Sequence, residues 1–259
     1  MIRTLWNGAS GAAGHQARLD AAANNLANIN TTGYKKQRVV FADLLTREME
    51  TSGRPVNLLP GSTARQGGGT AVVATCRGWE QGNVLETGRP LDLMIEGEGF
   101  FRLEKTGEEE LYTRDGNFFL DAEGRLVNSA GYVLLDNLEL TGAPDSLAIS
   151  PNGLVTARDA GGELIELGQL TLCRFISPGN LEAAGENMFR PTTGSGAPVE
   201  LVPGGEGAGM VRQGLLELSN VDTVEEMTGM IEAQRSYQFN LRSVRAADEM
   251  WGITNNLRR

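Results

Sequence analysis

The chain contains little of what catalytic sites and nucleic-acid-binding surfaces require. Its 259 residues include one histidine and two cysteines, and the formal net charge is −10. Binding to nucleic acid or to an anionic membrane surface depends on clustered Lys and Arg, so we expect neither partner. No apolar run reaches the roughly 18 residues of a membrane span, so we expect no direct membrane insertion.

The few residues that could carry chemistry stand in unsuitable patterns. Cys76 and Cys173 are far apart without a CxxC spacing, which argues against a zinc site or a disulfide framework. Whether the two thiols meet in the fold is left open. His15 has no Gly-x-Ser-x-Gly motif to accompany it, so a Ser-His-Asp triad is not expected. We therefore predict no catalytic, cofactor-binding or metal-binding residues and a protein that is not an enzyme.

Carboxylates are the exception, because they are plentiful. Asp92, Glu96, Glu98 and Asp115 lie among segments with strand patterns, and these residue types allow the carboxylate pair of a glycoside hydrolase. An alternative function from another class is thus a carbohydrate-active β-domain that acts on cell-wall glycan. Turn chemistry and the outward side of strands explain the same carboxylates without catalysis, and we favour that interpretation.

The two ends of the chain carry the strongest pattern. Apolar and small residues recur there at alternating spacings of three and four, which predicts helices that form a coiled coil with each other or with copies of the chain. The first helix is predicted from about Thr4 to Asn30, and the second begins at a cap on Asp222 or Thr223 and ends near Asn256. The stripe positions are Ile2, Leu5, Ala9, Ala12, Gln16, Leu19, Ala23 and Leu26 at one end, and Met227, Met230, Gln234, Tyr237, Leu241, Val244, Asp248 and Trp251 at the other.

The middle of the chain shows strand patterns. Short apolar runs such as Leu91–Ile95 and Leu111–Thr113 alternate with turn signals that include Glu123-Gly124 and Asn152-Gly153. Strands at this density predict an irregular sandwich or barrel, and a Gly-rich surface loop is expected over 179–209.

These segments predict an α+β fold with the two helices at the ends and an all-β domain between them. The predicted domains are a discontinuous helical coiled-coil domain over 1–45 and 213–259, an extended arm over 46–70 and a β-rich outer domain over 71–212. The arm is assigned because Gly and Pro interrupt every periodicity there, and its length predicts a mobile or a functional segment.

Several stretches resemble the signatures of the bacterial flagellar rod and hook protein family. They follow in the family's order and together cover essentially the whole chain. Within the family, the opening Met1–Trp6 and the segment near 46–69 are most similar to the distal rod type, while proximal rod and hook-type subunits are the nearest alternatives. The matching stretches are Asn24–Lys35 (NNLANINTTGYK), Pro90–Phe101 (PLDLMIEGEGFF), Tyr112–Gly116 (YTRDG), Ser219–Val221 (SNV), Glu225–Met227 (EEM) and Met230–Tyr237 (MIEAQRSY).

The resemblance implies a structural subunit of the distal rod, which assembles with copies of itself into a helical tube. The tube would act as a rigid drive shaft, transmit torque from motor to hook and enclose the export channel. Implied partners are the proximal rod proteins, the hook protein, the bushing ring proteins where present and the export apparatus. The implied location is the basal body in the cell envelope, after export without a cleaved signal peptide, for which the N-terminus shows no pattern.

The residues expected at the subunit interface lie on the two helices. The larger apolar residues should form the seam, and the two asparagines should form hydrogen bonds across subunits. An intramolecular core is the plainer interpretation of the same pattern. The set is Leu5, Leu19, Leu26, Asn25, Asn28, Met230, Tyr237, Leu241, Val244 and Trp251.

Overall fold

The computed structural model describes residues 2–44, 47–48, 65–105, 109–135, 147–158 and 164–257. Two long helices stand at the ends of the chain, α1 (Ile2–Ala27) and α2 (Thr223–Asn256). Asp222 is the N-cap of α2, because its carboxylate accepts from the backbone N–H groups of Val224 and Glu225. Of the two caps that the sequence allowed, Asp222 is therefore the one that forms.

Within the described residues, the region between the helices consists of short strands and one 3-10 turn (Pro178–Asn180). The strands are β1 (Gln37–Asp43), β2 (Arg47–Glu48), β3 (Arg65–Gln66), β4 (Thr70–Arg77), β5 (Val84–Glu86), β6 (Leu93–Glu96), β7 (Phe101–Glu104), β8 (Leu111–Thr113), β9 (Phe119–Leu120), β10 (Leu126–Val127), β11 (Val133–Leu134), β12 (Leu147–Ile149), β13 (Leu154–Arg158), β14 (Leu164–Gln169), β15 (Leu172–Arg174), β16 (Glu182–Gly185), β17 (Met188–Arg190), β18 (Val199–Leu201), β19 (Met210–Gln213) and β20 (Leu215–Glu217).

The predicted α+β class is confirmed, since two terminal helices flank a domain rich in antiparallel strands. The chain divides into two compact units. Unit 1 comprises Met1–Ala27, Gln37–Cys76 and Asp222–Arg259, and unit 2 comprises Asn28–Lys36 and Arg77–Val221. The predicted arm over 46–70 falls in unit 1, and its central residues 49–64 lie outside the described residues.

Unit 2 contains an antiparallel sheet of seven strands in the order β16-β17-β8-β7-β11-β10-β9 and a three-stranded sheet, β12-β13-β14. β19 pairs with β6, β20 with β5 and β15 with β18. Large side chains fill the core between these strands, and Phe101, Leu103, Ile95 and Leu170 are completely buried. A second cluster is aromatic, with Phe100 at edge-to-face geometry to Trp79 and Phe175.

The expected loop over 179–209 is wrong in part, because β16, β17 and β18 lie within it. β16 and β17 form a hairpin whose two turn residues, Glu186 and Asn187, both have positive φ angles of 50° and 57°. Such turns usually carry Asn-Gly or Asp-Gly, and Glu-Asn is a weaker signal for the same geometry. The hairpin is held in place by β17, which pairs with β8.

In unit 1, α1 packs against α2, and β1 pairs with β4 to form a two-stranded ribbon that lies against α1. β2 and β3 lie at the two ends of the predicted arm and pair with each other, with Arg47 opposite Gln66. Gly14 is the point of close approach, since a Cβ at this position would lie 2.8 Å from the Phe41 ring and 3.6 Å from Thr70 Oγ1. No helix of the described residues is long and apolar enough to cross a membrane.

Candidate assembly surface

The two helices of unit 1 run antiparallel, as contacts at both ends of the pair show. Near the start of α1, a Cβ on Gly8 would lie 2.8 Å from Val244 Cγ2, and one on Gly11 would lie 2.9 Å from Asn240 Nδ2. Near the end of α1, Asn25 Nδ2 donates to Glu226 Oε2 at 3.1 Å. The residue number of the α2 contact thus decreases as the residue number along α1 increases, which is the order of an antiparallel pair.

The most deeply buried side chains of the two helices are small. Ala12 and Ala22 of α1 and Ala233 and Ala247 of α2 are buried, and Gly8 has no room for a side chain. Small side chains allow two helix backbones to approach closely, but they bury little apolar area. The helix pair is therefore held by close contact rather than by a thick apolar core.

The stripe that faces the partner helix agrees with the predicted stripe at every second position. On α1 it keeps Leu5, Ala12, Leu19 and Leu26. At the intervening positions Gly8, His15 and Ala22 lie inward, while the predicted Ala9, Gln16 and Ala23 are exposed. On α2 the intervening positions move by one residue in the same way, to Glu226, Ala233, Asn240 and Ala247.

The apolar residues chosen as interface candidates are incompletely covered in the single chain. Leu5, Leu19 and Leu26 on α1 are half-buried, and so are Met230, Tyr237, Leu241 and Val244 on α2. Trp251 is 44% exposed. Their role in assembly stays a prediction.

The two predicted asparagines have different surroundings. Asn25 is 1% exposed, accepts from the Gln37 N–H at 2.9 Å and donates to the Gln37 carbonyl at 2.8 Å. With its bond to Glu226 it joins α1, β1 and α2. Asn28 lies in unit 2, where its Oδ1 accepts from the Thr31 hydroxyl at 3.2 Å in the turn that follows α1.

His15 lies at the interface of α1 with the ribbon. Its ring is 6.3 Å from that of Phe41, and its Nδ1 is buried without a hydrogen-bond partner among the described residues. Burial lowers the pKa of His15, and the positive charge of Arg18 lowers it further. The neutral ring is thus the form that fits this interface.

On the other side of α2, several apolar side chains are exposed among the described residues. Successive helix residues turn by about 100°, which places Val224, Ile231, Phe239 and Ile253 on the side opposite to Ala233. These four side chains are 52–73% exposed. The antiparallel register also leaves the last two turns of α2 beyond the start of α1, and Met250, Trp251 and Leu257 are exposed there. Exposed charged side chains, including Arg235 and Arg242, lie between the four on the same side of α2, so this surface is mixed apolar and charged.

In unit 2, the chain segment that follows α1 is held by buried charges. Lys35 Nζ lies 2.6 Å from Glu217 Oε1, and the side chains are 0% and 1% exposed. Arg114 approaches the other oxygen of Glu217 at 3.5 Å. Burial lowers the pKa of the Lys35 ammonium, and the Glu217 carboxylate opposes part of that fall. Sequence reasoning did not single out this cluster, although Lys35 and Arg114 stand in two of the recognised signatures.

Of the four carboxylates of the glycan-hydrolase alternative, Glu96 and Glu98 line a surface groove of about 530 Å³ in unit 2, together with Arg212 and others. Each carboxylate has its own arginine, since Arg212 Nε lies 2.8 Å from Glu96 and Arg174 Nε lies 2.8 Å from Glu98. Asp115 is instead half-buried, and burial raises the pKa of its carboxyl. Cys76 is exposed and Cys173 is buried, and neither of these two described residues is in a disulfide bond.

Comparison with known protein families gives three matches along the chain. Residues 5–35 match the family described as flagella basal body rod protein, and residues 94–157 match the flagellar hook protein FlgE/F/G D1 domain. Residues 212–257 match the flagellar basal body rod FlgEFG protein C-terminal family.

Full-length relatives agree with these matches. The flagellar basal-body rod protein FlgG of Borreliella burgdorferi is 43% identical, and the alignment covers 100% of both chains. The protein of the same name is 39% identical in Agrobacterium fabrum, over 98% of each chain, and 36% identical in Bacillus subtilis, over 100% of each.

Proposed function

The chain belongs to the FlgG family of flagellar basal-body rod proteins, and from this premise we propose that it is the subunit of the distal rod. The family is structural, so the chain is not an enzyme, and this removes the glycan-hydrolase alternative. It assembles into the flagellar rod with other rod and hook components, and its place is the flagellar basal body.

The proposal extends to the form of the assembly. Copies of the chain build a helical tube through their terminal helices, which pair as a coiled coil and line the export channel. A head-to-tail contact that does not close into a ring gives such a filament. The tube is a stiff drive shaft that transmits motor torque to the hook, and unit 2 is an irregular β-sandwich or barrel.

The proposed neighbours follow from that position. They are further copies of the chain along the tube, the proximal rod proteins on one side, the hook protein on the other and bushing rings where the envelope has them. The rod lies in the periplasmic space, and the subunit reaches it through the flagellar export apparatus without a cleaved signal peptide.

The exposed apolar side chains of α2 are the observation that carries this proposal. Val224, Ile231 and Phe239 lie in water in the single chain, and burying one such side chain contributes about 1.5–3 kcal/mol. α1 cannot supply this burial, because it already occupies the opposite side of α2. Further helices of the same kind would cover these side chains, as assembly into a tube requires.

Electron microscopy of basal bodies from cells without the gene tests the position in the rod. We expect rods that stop short and carry no hook, and we expect the plasmid-borne gene to restore them. Loss of nearly the whole rod would instead assign the chain to the proximal rod. Intact rods, hooks and swimming would contradict the proposal.

The role of the helices is tested by Leu241→Asp, with Leu241→Met as the matched control. A buried charge at a helix interface abolishes assembly, whereas the methionine keeps apolar volume and costs little. We expect the aspartate variant to keep a folded unit 2 by circular dichroism and to form no rods. If unit 2 unfolds as well, Leu241 belongs to an ordinary core.

A further inference from the structure

The chain crosses between the two units at four places, and the unit 2 residues next to all four crossings are joined to one another. The crossings follow residues 27, 36, 76 and 221. The adjoining unit 2 segments are 28–36, 77–82 and 217–221. The contacts that join these three segments all lie within unit 2.

Segment 28–36 is tied to segment 217–221 by three bonds. The Gly33 N–H donates to the Glu217 carbonyl at 2.9 Å. Lys35 Nζ donates to the Glu217 carboxylate at 2.6 Å, and the Lys36 N–H donates to Asn220 Oδ1 at 2.7 Å. A backbone hydrogen bond, a buried ion pair and a hydrogen bond to a side-chain amide thus connect the stretch 33–36 to segment 217–221.

Segment 77–82 joins the same set. The Gly78 N–H donates to the Lys36 carbonyl at 2.9 Å, and Asn220 Nδ2 donates to the Gly78 carbonyl at 3.0 Å. Lys35 Nζ also donates to the Glu80 carbonyl at 2.8 Å. We call this set, Gly33, Lys35, Lys36, Gly78, Glu217 and Asn220, the connector clamp.

Within the connector clamp, Gly33 is a position that leaves no space for a side chain. Gly33 has a φ of +66°, and a Cβ there would lie 2.6 Å from the backbone nitrogen of Asp115. Thr32 beside it donates to the Asp115 carboxylate at 2.8 Å. The segment therefore enters unit 2 in one conformation.

We propose that the connector clamp is a rigid joint that holds the four chain connections in fixed positions relative to one another, so that torque passes into unit 2 without bending the connectors. This inference rests on the proposed function, since a drive shaft needs stiff joints. A buried ion pair is weak evidence for net stability, because desolvation offsets its attraction, but removing one partner is strongly destabilising because the other charge stays buried. Lys35 and Glu217 are nearly inaccessible to water, so their separation requires local opening of unit 2.

Hydrogen exchange on the purified full-length protein tests the joint itself. In Lys35→Met and in the milder Asn220→Ala, we expect amides of 31–36 and 217–221 to exchange on the order of 100-fold faster, because one partner of a buried pair or network is lost. Amides of β6 and β7 should change little. Arg212→Ala, which removes an exposed ion pair with Glu96, is the control and should leave the connectors unchanged.

Two exchange results would overturn the joint. Equal acceleration throughout the unit 2 core in both variants would make these residues part of an ordinary core. Unchanged exchange at the connectors would show that the clamp does not hold them.

The torque role is tested in cells that carry Asn220→Ala. We expect rods of wild-type length by electron microscopy, but slower rotation in viscous medium and more breakage under shear. Normal rotation and shear resistance would overturn the torque role, and so would the absence of rods, which would assign the clamp to assembly. If deletion of the gene left rods intact, the proposed function would fail while the exchange result would still decide the joint.

Discussion

Unit 1 and unit 2 differ in how their side chains pack. Unit 2 places large side chains such as Phe101 and Leu103 in a closed core and pairs its buried charges internally. Unit 1 brings two helices together along glycine and alanine and leaves Phe239, Ile253 and Trp251 in water. We therefore expect unit 2 to be stable by itself, and we expect unit 1 to bury these exposed side chains only in the assembly.

The contrast also concerns which residues can be changed without loss. In unit 2 a substitution is felt in the free subunit, because its contacts are complete there. In unit 1 a substitution on the outer face of α2 leaves the free subunit unchanged and appears only on assembly. Stability and assembly should therefore separate by unit.

The largest effect is expected for Phe101→Ala in the core of unit 2. Phe101 is fully buried and its ring packs edge-to-face on Phe118 at 5.3 Å, so truncation should cost about 3–5 kcal/mol of unfolding free energy. Urea unfolding followed by near-ultraviolet circular dichroism measures it. Trp251→Ala is the counterpart in unit 1 and should change the free subunit by less than about 0.5 kcal/mol. Equal losses for both variants would contradict the comparison.

Asn25→Ala should give the next largest effect, and it should be confined to unit 1. The side chain is the shared partner of Gln37 and Glu226, and truncation leaves buried polar groups without partners, at a cost of about 1–3 kcal/mol. Hydrogen exchange should accelerate in α1, β1 and the first turns of α2. Gln16→Ala, at an exposed position of α1, is the control. Acceleration that extended into β7 would show that the units are not independent.

Substitution of a glycine on each of the two helices tests the comparison further. Gly8→Leu should separate α1 from α2 and cost about 1–3 kcal/mol, since even its Cβ would lie 2.8 Å from Val244. Gly252→Ala is the matched change at a helical glycine with nothing within 4 Å of the new atom, and it should stabilise α2 by up to about 1 kcal/mol. Helical ellipticity during thermal unfolding measures both. A destabilising Gly252→Ala would mean that this end of α2 is packed.

The sequence predicted the type of each region but not the details that small residues decide. Both helices and the strand-rich middle follow from periodicity, because apolar spacing of three to four or of two reports which face is buried. On each helix, some buried residues directly precede the predicted stripe positions, as Gly8 precedes Ala9 and Ala233 precedes Gln234. The hairpin at Glu186-Asn187 was missed because tertiary pairing, rather than a strong turn sequence, supports it.

The connector clamp could be predicted only in part. Gly33 and Lys35 belong to a stretch that resembles a family signature, and Gly33 has a positive φ angle of 66°. Nothing in the sequence connects Lys35 with Glu217, which lies 182 residues away. Charged residues are mostly exposed, so a sequence pattern predicts a surface position for them. A buried ion pair between segments that are distant in sequence is therefore seen only in the folded structure.

The smallest effect is expected from pH and concerns unit 1 alone. The pKa of His15 is lowered in the folded chain, first by burial and then by Arg18. The folded state therefore disfavours the proton, so this stability is complete above the unfolded pKa near 6.5 and is lost as pH falls below it toward the lowered pKa. Exchange of α1 amides should accelerate between pH 7.5 and 5.5, after correction for intrinsic rates, and the acceleration should be smaller in His15→Gln. An identical pH dependence in both proteins would show that carboxylates, and not His15, control the helix pair.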